Sequence, residues 1–243
     1  MFTFTLFELR RNLRDSRFLL FLVAMPPLLY LLYSGFSGPG TIDGLPAGES
    51  LMVSMCCYAA MGAAMYAIGP PLAAERATGW IRQLRIMPLT GPAWVAAKVI
   101  QGSVLIFPGV IAVAATAAAV RHPHVSGAQW ATLAVVLLAG SLPFSALGLV
   151  IGQALEGQSA NTATLFVMLG LSFIGGLLIP DPRLPVGIRH AAQITPSHQL
   201  AAAARAALSG QHIVYTTVLT LALWTAAAAA AALLLWRRDG AAA

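Results

Sequence analysis

Residues 50–92 read SLMVSMCCYAAMGAAMYAIGPPLAAERATGWIRQLRIMPLTGP, and the fold is decided by where this stretch changes character. Residues 50–72 carry no charged side chain. A helix rises about 1.5 Å per residue, so about 20 apolar residues cross a hydrocarbon core near 30 Å thick. Past Leu72 come Glu75, Arg76, Arg82 and Arg85, yet the helical period persists. Trp80, Ile81, Leu84 and Met87 recur on one face, the arginines Arg82 and Arg85 fall on another, and Pro88 ends the run. The stretch therefore reads as a membrane span followed by a short amphipathic helix, 75–89, lying parallel to the membrane. Its apolar stripe suits lipid headgroups, and its combination of Trp and Arg suits a groove in a partner protein equally well.

The same test applied outward finds five more apolar runs, giving six spans at 18–33, 50–72, 92–120, 129–155, 162–179 and 213–236. Composition agrees: 58% of the 243 residues are hydrophobic and 9% charged, against about 25% charged in a soluble domain. The mean hydropathy is +0.79. The expected fold class is thus an all-α polytopic membrane protein forming a single transmembrane domain, 1–243. The formal charge of +6 comes from basic residues scattered in twos and threes between spans, which sets topology and does not call for nucleic acid. Cys56 and Cys57 are adjacent inside an apolar run and suit neither a disulfide framework nor a CxxC metal site.

With both termini in the cytoplasm, ten basic residues lie inside (Arg10, Arg11, Arg14, Arg17, Arg76, Arg82, Arg85, Lys98, Arg237, Arg238) and four outside (Arg121, Arg183, Arg189, Arg205). The positive-inside rule favours that orientation, in a bacterial plasma membrane. Loop 34–49 has no Lys or Arg and is rich in Gly, as a short exterior turn should be. A cleaved signal peptide fits the first run poorly, because no A-x-A-like site follows it and it contains Pro26-Pro27.

Two further pieces depart from simple loops. In residues 1–17, Phe2, Leu6, Leu9 and Leu13 share a helical face while Glu8, Arg10, Arg11, Arg14 and Asp15 are charged, the pattern of an interfacial helix. In 180–212, prolines 180, 182, 185 and 196 punctuate two short helical candidates, 186–193 and 197–208, with Ser197 as a start and Gly210 as a stop. This segment is expected outside, capping the mouth of a pathway between helices.

Within the spans, small residues supply helix contacts that lipid does not drive. Ser141, Ser145, Gly148 and Gly152 form one strip on the fourth span, and Ala60, Ala64, Gly170 and Gly175-Gly176 add others. Packing within the chain is the expected role of each. Lys98, Gln101 and Gln153 lie near span ends, so snorkelling to the interface is their default reading. Met55, Tyr58, Met61 and Phe166 are candidates for an apolar substrate wall. No file of carboxylates crosses the spans, which argues against ion-coupled transport. His122 and His124 lack the spacing of a zinc pair, and no metal site is expected.

The order of these parts resembles the permease subunit of type-2 ABC exporters, the type V exporter fold. The matching residues are Glu75, Arg76, Gly79, Trp80, Leu84 and Pro88, then Leu184-Pro185 and Thr195-Pro196 in the outer segment. The alanine-rich sixth span, residues 226–232, departs from the family. The resemblance implies coupling to two separate ATP-binding subunits through 75–89 (Glu75, Arg76, Gly79, Trp80, Ile81, Leu84, Arg85, Pro88) and through the turn at Glu156 and Gln158. It implies ion pairing between Glu75 and the arginines of the interfacial helix, among Glu8, Arg10, Arg11 and Arg14. It also implies a second permease copy or homologue, and ATP with Mg held by the partner only. The residues agree on that last point: a P-loop needs G-x-x-x-x-G-K-[ST], and the sole lysine, Lys98, sits between Ala97 and Val99. The expected cargo is a drug, lipid or peptide of hydrophobic or amphipathic character. The alternative is a membrane enzyme or assembly subunit acting on lipid at the outer surface through His190, His198 and Asp181, although neither HExxH nor G-x-S-x-G occurs.

Overall fold

The structure, a computed structural model, describes residues 16–36, 40–42, 44–78, 91–178 and 186–241. In chain order these form α1 (Ser16–Phe36), a two-stranded hairpin β1 (Thr41–Ile42) and β2 (Leu45–Pro46), α2 (Ala47–Tyr66), α3 (Gly69–Ala77), α4 (Gly91–Arg121), α5 (Gly127–Gly140), α6 (Leu142–Ala154), α7 (Gly157–Ile174), α8 (Val186–Ile194), α9 (Pro196–Ser209) and α10 (Tyr215–Ala241). The chain is an all-α polytopic membrane protein apart from the hairpin. Four helical segments among the described residues are long and apolar enough to cross a membrane: Ala47–Ala77, Lys98–Arg121, Gly127–Ala154 and Tyr215–Arg238. Leu22–Phe36 is a shorter apolar helix. The interfacial helix expected over 1–17 lies outside the described residues but for its last two positions, and most of 75–89 lies outside them too.

α2 is the axle of the bundle. Fifteen of its 20 residues are buried, from Ser50 to Met65, and α1, α4, α6 and α9 all pack on it. Such all-round burial matches its lack of polar periodicity, because a helix that is apolar on every side belongs inside. α10 is the opposite case. It leans on α6 and α9, and only 11% of its apolar window is buried, which leaves Val218, Leu223, Leu233 and Leu234 facing outward.

Two spans are broken in mid-course by proline. α2 and α3 are one run interrupted at Ala67-Ile68, because Pro70 and Pro71 have no N–H for a continuing ladder. The donors that remain are met locally: Ala67 N–H bonds to Ala63 O and Leu72 N–H to Ile68 O, both at 3.0 Å. α5 and α6 likewise divide at Ser141 before Pro143, where the Ser141 hydroxyl donates to Leu138 O at 2.8 Å.

The two broken spans meet at their glycines. A Cβ on Gly152 would stand 2.6 Å from Gly69 O and 2.8 Å from Leu72 Cβ, and one on Gly148 would stand 3.0 Å from Met65 O. Backbone therefore touches backbone, which is how helices associate where lipid supplies no hydrophobic drive. The Gly148–Gly152 strip packs within the chain, as its spacing predicts. Gly170 does not: nothing lies within 4 Å of its notional Cβ.

The segment 180–212 departs from its expected place as a surface cap. α8 and α9 match the two candidates closely, and Gly210 closes α9 in the left-handed region at φ 70°, where glycine carries no steric cost. The start differs, for Thr195, not Ser197, is the N-cap, accepting from His198 N–H at 3.3 Å. Nine of the 14 residues of α9 are buried, among them Arg205. Leu208 O accepts from Gln129 Nε2 at 2.6 Å near the start of α5, while Leu200 packs on Gly140 at its end, about 17 Å further along by helical rise. α9 thus runs beside α5 for its length, inside the bundle. Its alanines permit that close approach, and Ser197 completes it by donating to Leu171 O at 2.6 Å. Loop 34–49 also holds more than a turn: the β1–β2 hairpin pairs Thr41 with Pro46 and Ile42 with Leu45 against the start of α2.

Replacing Gly152 with Ala should lower stability by about 1–3 kcal/mol, because the new methyl overpacks a backbone contact. Gly170→Ala meets open space and should be neutral or stabilising by up to about 1 kcal/mol from helix propensity. Thermal unfolding of the two variants in the same detergent checks the contrast.

Candidate functional site

Polar groups gather at the end of the bundle where α3 stops and α4 and α7 begin. Glu75, in the last turn of α3, accepts from Lys98 Nζ at 2.7 Å, and the two side chains are 5% and 0% exposed. Two full charges out of contact with solvent are costly to hold apart, and inside a membrane protein such a pair marks a functional position. The proline break that starts α3 sets this geometry. It turns the final helical segment so that Glu75 faces α4, while the next residue, Arg76, faces α6.

Arg76 Nη1 donates to the carbonyl oxygens of Gln153 and, at 3.4 Å, Gly152. These lie in the final turn of α6, where carbonyls lack helical partners and carry the negative end of the dipole, so a guanidinium there both bonds and compensates. Thr78 closes α3 itself, its hydroxyl donating to Ala74 O at 3.1 Å and Glu75 O at 3.2 Å. Thr164 of α7 also comes against Gly69, its hydroxyl oxygen 3.1 Å from the position a Cβ would take there. One short helix is thereby joined to α4 by an ion pair, to α6 by a charged cap, and to α6 and α7 by direct contact.

The snorkelling expected of Lys98, Gln101 and Gln153 is overturned, for all three are buried, at 0%, 1% and 7% exposure. The reason for Lys98 is local: its ammonium has a carboxylate within 2.7 Å and need not reach water. Glu75 is correspondingly no part of an open docking surface. Arg76 is bound to α6 and is more than a solvated anchor. Glu156 and Gln158 remain exposed at the α6–α7 turn, which Gly157 makes possible at φ 53°. Gly79, Trp80, Ile81, Leu84, Arg85 and Pro88 lie outside the described residues, as do Glu8, Arg10, Arg11 and Arg14.

The proposed substrate wall does not assemble. Met55, Tyr58 and Met61 are sealed in the core on α2 at 0–2% exposure, whereas Phe166 on α7 is 68% exposed and faces away. His190 is exposed on α8 and His198 is half-buried near the start of α9, while Asp181 lies outside the described residues. Among the described residues no three of His, Cys, Asp and Glu come together as metal ligands would. Sequence reasoning missed the Lys98 partnership and the burial of Arg205. A sole lysine inside an apolar run, with a glutamate just beyond the preceding run, was the available signal for the first.

No protein-family model matches the chain. Over 216 residues, 88% of this chain and 87% of its relative, it is 25% identical to YvfS of Bacillus subtilis (strain 168), an inferred transport permease. This near full-length likeness to a transport permease agrees with the permease character drawn from the order of elements.

Either Glu75→Gln or Lys98→Met alone should destabilise the chain by about 3–5 kcal/mol, because each removes one partner of a buried ion pair. The double variant should recover most of that loss. Unfolding temperatures of the four proteins in one detergent give the comparison, and additive losses would show that the pair is not coupled.

Proposed function

We propose that this chain is the membrane-spanning permease subunit of an ATP-driven ABC exporter. In this reading it crosses the bacterial plasma membrane six times with both termini in the cytoplasm, α1 and α7 supplying the two spans beyond the four longest. It carries no nucleotide site. ATP and Mg are held by two partner ATPase subunits, and a second permease copy or homologue completes the pathway. The cargo is hydrophobic or amphipathic, in keeping with spans that offer few polar groups.

One observation carries the reading. The stretch 79–90 issues from a short helix that is fixed to three other helices by Glu75, Arg76 and the Gly69 contact. A loop that merely joins two spans has no need of a buried ion pair at its root, whereas a loop that receives force does. The near full-length likeness to a transport permease supports the same conclusion. The orientation rests on basic-residue placement, which puts 79–90 and the Glu156 turn on the ATPase side.

Affinity purification of the tagged chain from its own cell's membranes should bring down a nucleotide-binding ATPase. Trp80→Glu or Leu84→Glu should abolish that association while the chain still inserts. Recovery of the chain free of any ATP-hydrolysing protein, in gentle detergent and in lipid nanodiscs alike, would refute the proposal. Orientation is checked separately: a cysteine at exposed Thr78 should react with an impermeant maleimide in inverted vesicles and not in intact cells.

A further inference from the structure

Resting on that reading, we propose that Arg76 is a positioning residue that yokes two ATPase-facing elements of this chain, the end of α3 and the end of α6 at the Glu156 turn, so that they move together. Arg76 and the carbonyls it binds are 76 and 77 residues apart in sequence, so the two ends have no covalent reason to move together. Arg76 supplies the link, for its Nη1 donates to Gly152 O at 3.4 Å and to Gln153 O, three or four residues before Glu156. The link has no slack beneath it. Gly152 and Gly69 meet with no side chain between them, a notional Cβ on Gly152 lying 2.6 Å from Gly69 O. On the far side of α3, the Glu75–Lys98 pair at 2.7 Å fastens the same helical turn to α4.

Consecutive residues of one turn therefore bind different neighbours in different directions. A push on 79–90 is delivered to α4 and α6 at once, and a push on the Glu156 turn returns through Arg76 to α3. Packed interfaces of this kind switch between discrete arrangements and do not deform smoothly, so the two ends move as a body. Independent motion of the two elements is what the yoke forbids.

Spin labels on exposed Ala77 and Ala154, in a Cys56→Ala/Cys57→Ala background, read the separation across the yoke, and a label pair on Ala77 and exposed Ala227 of α10 serves as reference. In liposomes without nucleotide, the Ala77–Ala154 dipolar spectrum should show one sharp separation. Arg76→Gln should broaden it, and Arg76→Lys should largely restore it, since an ammonium also serves terminal carbonyls. A spectrum equally sharp in Arg76→Gln overturns the proposal whether or not an ATPase partner exists. In the complex trapped with ATP and vanadate, Ala77–Ala154 should stay fixed while Ala77–Ala227 shifts. A change across the yoke as large as that of the reference overturns the proposal even if Arg76→Gln does not fold. If the apo result holds but neither pair responds to nucleotide, Arg76 is a structural brace only, and the exporter reading fails with the coupling role.

Discussion

The buried contact between Glu75 and Lys98 constrains everything around it. Removing a carboxylate and an ammonium from water costs several kcal/mol per ion, and their attraction offsets this only if both are held in one geometry. α3 must therefore end where it does, α4 must begin beside it, and the proline break at Ile68 must turn the chain enough to permit both. The pair is also a reason for the small residues opposite. With α3 committed to α4 on one side, α6 can approach on the other only if its facing positions lack side chains, and Gly148 and Gly152 meet that need.

This arrangement separates the bundle into regions of different character. Around α2 and α3 the chain is closely packed, and 89% of the Ala47–Ala77 window is buried. Around α10 it is open, with large apolar side chains facing outward. In water such a face would demand a partner, but lipid tails are as apolar as leucine, so an exposed apolar helix is at rest in a bilayer. The Glu75–Lys98 pair and the Gly69–Gly152 contact both fall on α3, in the closely packed region.

Four of the six expected spans and both helices of 180–212 were legible because apolar length, helical period and the Gly210 stop are local signals. The depth of α9 was not. Its alanines, interrupted by His198, Gln199 and Arg205, have a modest apolar character that reads as surface, and only the neighbours at Gly140, Leu171 and Gln129 reveal that it lies within the bundle. Lys98 was misread for a related reason. Position near a span end is a one-dimensional property that suggests snorkelling, whereas its partner is 23 residues away and is brought to it by a break that the prolines mark but do not aim. Arg76 binding to α6 has no sequence signal at all, since backbone carbonyls accept regardless of residue type.

An ion pair such as Glu75–Lys98 ties two identities together, so altering either one alone leaves a buried charge. A cap such as Arg76 on Gly152 and Gln153 asks only for a cation of sufficient reach on one side and a helix end on the other. The glycine contact asks only for absent side chains. Three couplings of different chemical stringency thus converge on nine residues of α3. The ion pair is the most demanding of the three, and it therefore fixes the register in which the other two are made.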